Sequence, residues 1–334
     1  MITDARVLQS EFVPKDVVHR DAEINHLSSA LQPITDGERG ETAFLFGPSG
    51  TGKTCIAQYT TTKLRESVID LNYQYVNCWE DHSRFKTLYR VLEGIGRTVD
   101  IHRQSTPKDV LLDRIRDYNG PPYVVILDEV DQLEDKSLLY DLYRIRNLTM
   151  ILIANQEEEL FSEIGNRLTS RLRPSARVHF DKYGTTELVE ILRDRVRWGL
   201  QDDVIEPRQL KLIADASGGD ARVAIGILRV AARNASHSGT STISDGVIED
   251  AVSEAKAEVT QKNIEKLTDD QRLLYDIITD HGETKPGNLY EEYQERASDP
   301  RSKRMVRNYL QKMCHYNLIE AEGQNRGRRY RVVS

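Results

Sequence analysis

At 334 residues and a formal net charge of −7, the chain is too long for one compact core and suits two or three domains, each folding by burying apolar surface. The acidic balance excludes a protein that holds a polyanion over its whole surface, and the lack of an apolar run of spanning length excludes a membrane helix. Cys55, Cys78 and Cys314 have neither disulfide-framework nor zinc-site spacing, and the N-terminus lacks the apolar region of a signal peptide, so a reducing cytoplasm is expected.

In chain order, "TAFLFGPSGTGKTCIAQYTTTKLR" reads as a short apolar strand, a glycine loop and an amphipathic helix. The loop Gly47, Pro48, Ser49, Gly50, Thr51, Gly52, Lys53 and Thr54, with Cys55 after it, satisfies the full phosphate-loop pattern in the strand-to-helix context that the chemistry needs. Its glycines let backbone N–H groups converge on phosphate oxygens, Lys53 reaches the β- and γ-phosphates, and Thr54 ligates Mg2+. ATP or ADP with Mg2+ is the expected cofactor.

"YQYVNCW", "YVVILDEVDQL" and "LTMILIANQ" are strand-length apolar runs, and helical segments alternate with them. One such segment, "TPKDVLLDRIRDY", is expected to start with Thr106 as cap and Pro107 in the first turn. This alternation predicts an α/β core with a parallel sheet. The second run delivers Asp128 and Glu129 to a strand's carboxyl end, Asp128 to hold Mg2+ through water and Glu129 to act as general base. The third ends at Asn155, suited to orient water or touch a γ-phosphate.

After about Tyr183 four amphipathic helices replace the strands, and "GGDARVAIGILR" puts Arg222 near a helix start, where a cation calls for an anion. From about Lys262 the order is helix, helix, helix, hairpin, that of a winged helix, with Thr268 and Gln271 in capping-box spacing. The expected division is 1–183 core, 184–261 all-helical lid and 262–334 winged-helix domain.

From Arg301 onward nine Lys/Arg stand against two Asp/Glu, which leaves −14 on residues 1–300. Helical spacing sets Met305, Val306, Tyr309, Leu310 and Met313 on one face and Arg304, Arg307, Asn308, Gln311 and His315 on the other. Arg suits guanine edges, and Asn or Gln suits adenine. Arg326, Arg328 and Arg329 around Gly327 suit phosphates, so double-stranded DNA is the expected partner.

Together, "GPSGTGKT", "ILDEVD", Asn155, "NRLTSRL" and "GGDARVAI" resemble the AAA+ ATPases. More specifically, with "FVPKDVVHRDAEINHLSSAL", "KPGNLYEEYQERA" and the C-terminal stretch, the chain resembles the archaeal initiators of the origin-recognition-complex and cell-division-control type. The resemblance implies that Asn155 is sensor 1, Arg222 is sensor 2, and His19 and Arg20 border the adenine pocket. It also implies an arginine finger acting on a neighbouring subunit, Arg171 with Arg167 as the alternative, and hence slow ATP hydrolysis that depends on assembly. Recruitment of the replicative helicase, and action beside other initiator subunits at a replication origin, follow from it too. In the insert "RFKTLYRVLEGIGRTVDIHRQSTPKD", Arg84, Lys86, Arg90, Arg97 and Arg103 stand where such initiators carry a DNA-contacting helix. Two other readings stay open: a clamp-loader-like remodelling ATPase, and a DNA-binding regulator derived from an initiator.

Overall fold

The computed structural model of the chain describes residues 1–102, 105–323 and 327–333, apart from the side chains at 166 and 167. It forms two compact units, Met1–Glu249 and Asp250–Ser334.

The first unit runs α1 (Asp21–Leu31), β1 (Ala43–Phe46), α2 (Lys53–Ser67), β2 (Asn72–Asn77), α3 (Arg84–Glu93), α4 (Lys108–Arg116), β3 (Tyr123–Asp128), α5 (Ser137–Tyr143), β4 (Leu148–Ala154), α6 (Glu157–Glu163), α7 (Asn166–Leu172) and β5 (Ala176–His179). The strands pair in parallel in the order β2-β3-β4-β1-β5. Every residue of β1, β3 and β4 is buried, because helices cover both faces. Alternate β3 side chains enter opposite cores: Val124 and Ile126 join Leu27, Leu31 and Ile56, while Val125 and Leu127 join Leu88, Leu111 and Leu139. The chain order breaks where β1 lies between β4 and β5, a switch point that opens a crevice at the strands' carboxyl ends.

One expected cap differs. α4 begins at Lys108 with Pro107 in extended conformation as its N-cap, and the Thr106 hydroxyl instead accepts the His102 N–H at 3.0 Å. Thr106 is thus taken by the preceding loop.

Helices α8 (Thr185–Gly199), α9 (Pro207–Ala216), α10 (Ala221–His237) and the start of α11 (Asp245–Glu265) follow in the same unit. The N-terminal segment is fastened to α8: buried Arg195 donates to Val7 O at 2.9 Å and Phe12 O at 3.1 Å, its guanidinium 5.0 Å over the Phe12 ring.

The second unit holds the rest of α11, then α12 (Asp269–His281), β6 (Glu283–Thr284), α13 (Pro286–Arg296), α14 (Lys303–His315), β7 (Ile319–Glu322) and β8 (Arg329–Val332), with an antiparallel sheet ordered β6-β8-β7. The capping box forms: the Thr268 hydroxyl accepts Gln271 N–H, and Gln271 Oε1 accepts Thr268 N–H. Among the described residues no helix is long and apolar enough to cross a membrane.

Tyr293 ties this small unit together. Its buried hydroxyl donates to Asp270 at 2.6 Å and accepts the Arg301 N–H at 3.1 Å, while Arg301 Nε also donates to Asp270. Burial, helped by the bond to Asp270, pushes the phenol up to about 12. The unfolded chain loses this proton near pH ~10. Stabilisation by the neutral phenol is therefore complete at neutral pH and declines as pH climbs from about 10 towards 12. Tyr293→Phe should cost roughly 0.5–1.5 kcal/mol at neutral pH and flatten that alkaline decline. Urea midpoints followed against pH check it; parallel curves for the two proteins would refute the assignment.

Candidate functional site

The carboxyl ends of β1, β3 and β4 carry the predicted nucleotide residues to one place. After Phe46 the chain turns sharply, with φ of 148° at Gly47, 75° at Gly50 and 92° at Gly52. At Gly50 and Gly52 space is short as well. A Cβ on Gly50 would collide with the Asp220 carboxylate, and one on Gly52 would lie 2.6 Å from the Tyr183 hydroxyl. Pro48 and Ser49 form the outer part of the turn, and Thr51, fully buried, closes it by donating to Pro48 O at 2.9 Å.

Lys53 is buried, and its Nζ donates to Gly47 O at 2.6 Å, Pro48 O at 2.7 Å and Asn155 Oδ1 at 3.2 Å. Burial pulls the ammonium down to about 8, with nearby Asp128 opposing the shift and Arg222 adding to it. Burial pushes the Cys55 thiol up to about 11, so it is a neutral wall next to the loop.

Asp128 ends β3 with its carboxylate fixed by three donors. The Thr54 hydroxyl reaches Oδ2 at 2.6 Å, the Tyr75 hydroxyl reaches the same oxygen at 3.0 Å, and the Glu129 N–H reaches Oδ1 at 2.9 Å. Burial and the neighbouring Asp128 push the Tyr75 phenol far above its ordinary range, so it acts as a neutral donor. Glu129 follows in a left-handed conformation, φ 54°, uncommon for a side chain with a Cβ. Asn155, one residue past β4, also anchors the loop, its carbonyl accepting the Gly47 N–H at 3.2 Å.

The start of α10 sits against this loop. Asp220 caps the helix by accepting Arg222 N–H at 2.8 Å and Val223 N–H at 3.2 Å, and the Ala221 N–H donates to Gly50 O at 3.0 Å. Arg222 Nε is buried with no hydrogen-bond partner among the described residues. A half-buried cation with its Nε in that state, near Lys53, suits a polyphosphate, and the all-oxygen pair Thr54 and Asp128 suits a hard cation such as Mg2+.

His19 and Arg20 both face protein. His19 Nε2 lies 2.7 Å from Glu190 Oε2 of α8. Arg20 donates to Glu23 Oε1 at 2.6 Å and Asp181 O at 2.7 Å, its guanidinium 4.2 Å from the Tyr183 ring centroid. Arg171 is exposed on α7 with its guanidinium 5.4 Å over Tyr140; the side chain of Arg167 lies outside the described residues. The insert's cations are largely engaged within the fold: Arg84 pairs with Asp135 and Asp141, Arg90 with Asp81 and Glu93, Lys86 reaches Glu80 O, and Arg97 donates to Arg114 O. Arg103 lies outside the described residues.

In the second unit α14 buries Val306, Leu310 and Met313, with Met305 and Tyr309 half-buried. Lys312 is buried as well, against its charge. Arg304, Arg307 and Gln311 are exposed and Asn308 is half-buried. Arg304, Arg307 and Arg328 have no ion-pair partner among the described residues, whereas Arg329 is held by Glu283 at 2.8 Å. Arg326 lies outside the described residues. Two residues of the site escaped the sequence reading. Asp220 had a visible signal, an acid just before a helix; Tyr75 had only the alternation of "YQYVN", which places it on one face with Tyr73.

A glycine loop between β1 and α2, an acidic pair ending β3, a polar residue ending β4 and a helix capped against the loop define a P-loop ATPase of the AAA+ class. Residues 38–175 match the family model described as AAA domain, and residues 189–257 match Cdc6 AAA+ ATPase-type lid domain. The chain is 62% identical over 308 residues to ORC1-type DNA replication protein 1 of Halobacterium salinarum, covering 92% of this chain and 100% of that one. It is 53% identical over 333 residues to ORC1-type DNA replication protein 9 of the same organism, covering 100% and 94%. The chain belongs to the ORC1-type DNA replication protein family. Its fold is similar to that of the Aeropyrum pernix ORC1 protein solved in complex with DNA, with TM-score 0.77 and 23% identity over 100% of this chain and 94% of that one.

A nucleotide bound here stabilises the folded chain by mass action, by about 2.7 kcal/mol at a hundred times Kd. Lys53→Ala should remove the thermal shift that ATP gives the wild type. An undiminished shift in that variant would place the nucleotide elsewhere.

Proposed function

We propose that this protein is a nucleotide-controlled DNA replication initiator that binds ATP with Mg2+ between its sheet and α10 and grips origin duplex through Asp250–Ser334. The observation that carries the DNA half is the contrast among the terminal cations. Arg304, Arg307 and Arg328 stand exposed without acidic partners on an otherwise acidic chain, so their charge is available to phosphate and base edges. The helix order and antiparallel hairpin of that unit suit a winged helix, α14 entering a groove and the β7–β8 hairpin serving as wing. Its similarity to an ORC1-type DNA replication protein, and to an Aeropyrum pernix ORC1 protein solved in complex with DNA, supports the same reading.

In the nucleotide half, Lys53 and the loop amides hold the β- and γ-phosphates, Thr54 and Asp128 hold Mg2+, and Arg222 meets the phosphates from α10. Mg2+ supplies charge neutralisation at the phosphate oxygens. Glu129 takes the proton of the attacking water, Asn155 orients that water, and Arg171 serves a neighbouring subunit's site, Arg167 being the alternative. His19 and Arg20 act by holding the wall of the base pocket. Turnover is accordingly slow until subunits assemble on the origin, and the ATP-bound form recruits the replicative helicase.

Glu129→Gln should retain nucleotide binding and lower hydrolysis by roughly 10²–10⁴-fold. Wild-type turnover in the variant would exclude Glu129 as the base. Strong stimulation of the isolated wild-type chain by any duplex would instead favour a remodelling ATPase.

The DNA contacts separate by salt dependence. Arg328→Ala, on the phosphate side, should weaken all duplexes alike and lower the log–log salt slope by about one. Arg304→Ala, on a base edge, should narrow the gap between origin and random DNA by ~1–3 kcal/mol at constant salt. If neither variant changes affinity or slope while folding normally, this face does not bind DNA.

A further inference from the structure

We infer that Tyr75 is a positioning residue that selects which oxygen of Asp128 is offered to the cation of the nucleotide site. The inference rests on the nucleotide-site reading above. Tyr75 lies on β2, opposite Ile126 of β3 and packed against the core that contains Ile56, so its ring is fixed before any ligand arrives. Its hydroxyl donates to Asp128 Oδ2 at 3.0 Å, the oxygen that also accepts from Thr54 at 2.6 Å.

A carboxylate oxygen has about two acceptor sites. With both hydroxyls in place, Oδ2 is saturated. Oδ1 accepts the Glu129 N–H at 2.9 Å and keeps its second site. That spare site is therefore the one available to a hydration water of the cation. Thr54 alone cannot enforce this arrangement. A threonine oxygen that ligates a cation keeps its proton donated to Oδ2, but with Thr54 on Oδ2 and the Glu129 N–H on Oδ1 each oxygen would keep one spare site. Tyr75 approaches from a neighbouring strand, independently of the loop, and takes the second site of Oδ2, which leaves Oδ1 alone with a spare one. It touches neither nucleotide nor cation and acts only through Asp128.

The test is Tyr75→Phe in the full chain, with ADP affinity measured calorimetrically over a series of Mg2+ concentrations and in EDTA. The ring and its packing are kept and only the hydroxyl is lost. Expected is an EDTA affinity within about twofold of wild type and a rise of about tenfold in the Mg2+ concentration needed for the Mg2+-dependent gain, the scale on which outer partners of metal ligands act. Wild-type Mg2+ dependence, or an equal loss with and without Mg2+, overturns the inference, the second outcome marking a merely structural residue. Tyr75→Leu, which also lacks the hydroxyl, must show the same Mg2+-specific loss; a loss confined to Tyr75→Leu would assign the effect to the ring and overturn it too. Lys53→Ala separates this from the underlying reading: if that variant binds ADP normally the site itself is misassigned, whereas a defective Lys53→Ala beside a silent Tyr75→Phe removes only the role of Tyr75.

Discussion

A buried ammonium surrounded by oxygen acceptors is the constraint on which the site depends. Lys53 leaves water, which is costly for a cation, and the cost is offset by Gly47 O, Pro48 O and Asn155 Oδ1. These acceptors belong to two places in the sequence: the turn after β1 and the residue after β4. They meet only because β1 lies beside β4 in the sheet, a pairing that sets Phe46 next to Ala154. The strand order is thus a condition of the lysine's position. The positive φ values at Gly47, Gly50 and Gly52 are a second condition, since the loop must fold back over its own lysine.

The same loop couples the sheet to the helices that follow. Asp220 satisfies orphan N–H groups at the start of α10, and its carboxylate occupies the space a Gly50 side chain would need. The Ala221 N–H closes the contact on Gly50 O. The helix start therefore reads the position of the loop backbone directly. The Asp220 carboxylate is itself engaged by the N–H groups it caps, and Arg222 lies near enough to Lys53 to lower its ammonium. Arg222 keeps an unpartnered Nε beside a Lys53 ammonium that burial holds low, so both cations of the site stand close to the loop.

Features encoded by contiguous residues were legible in the sequence. "GPSGTGKT" between a strand and a helix, Asp128 and Glu129 at a strand end, and the Thr268 and Gln271 box all concern neighbours within a few positions, where spacing alone fixes geometry. What escaped depends on pairing between distant segments. Tyr75 and Asp128 meet because β2 and β3 are adjacent, and no local pattern states that adjacency. Arg84 and Arg90 looked free on a helix face, yet their partners Asp135, Asp141 and Asp81 arrive from other segments. The Thr106 cap was lost to a competing N–H four residues back. Lys312, assigned to neither face of its helix, is buried.

Formal charge is a poor guide to which cations meet a polyanion; pairing decides. Arg331 is held by Glu320 and Glu322, and Arg329 by Glu283, so each enters the β7–β8 hairpin already neutralised. An exposed ion pair is worth only about 0–1 kcal/mol, so these arginines can be drawn to phosphate, but they leave an acid behind that repels the same phosphate. Arg304, Arg307 and Arg328 leave none. On a chain of negative net charge these three keep a charge that no ion-paired carboxylate among the described residues offsets. Pairing thus ties Arg329 and Arg331 to carboxylates of neighbouring strands, while Arg304, Arg307 and Arg328 stay exposed and unpaired.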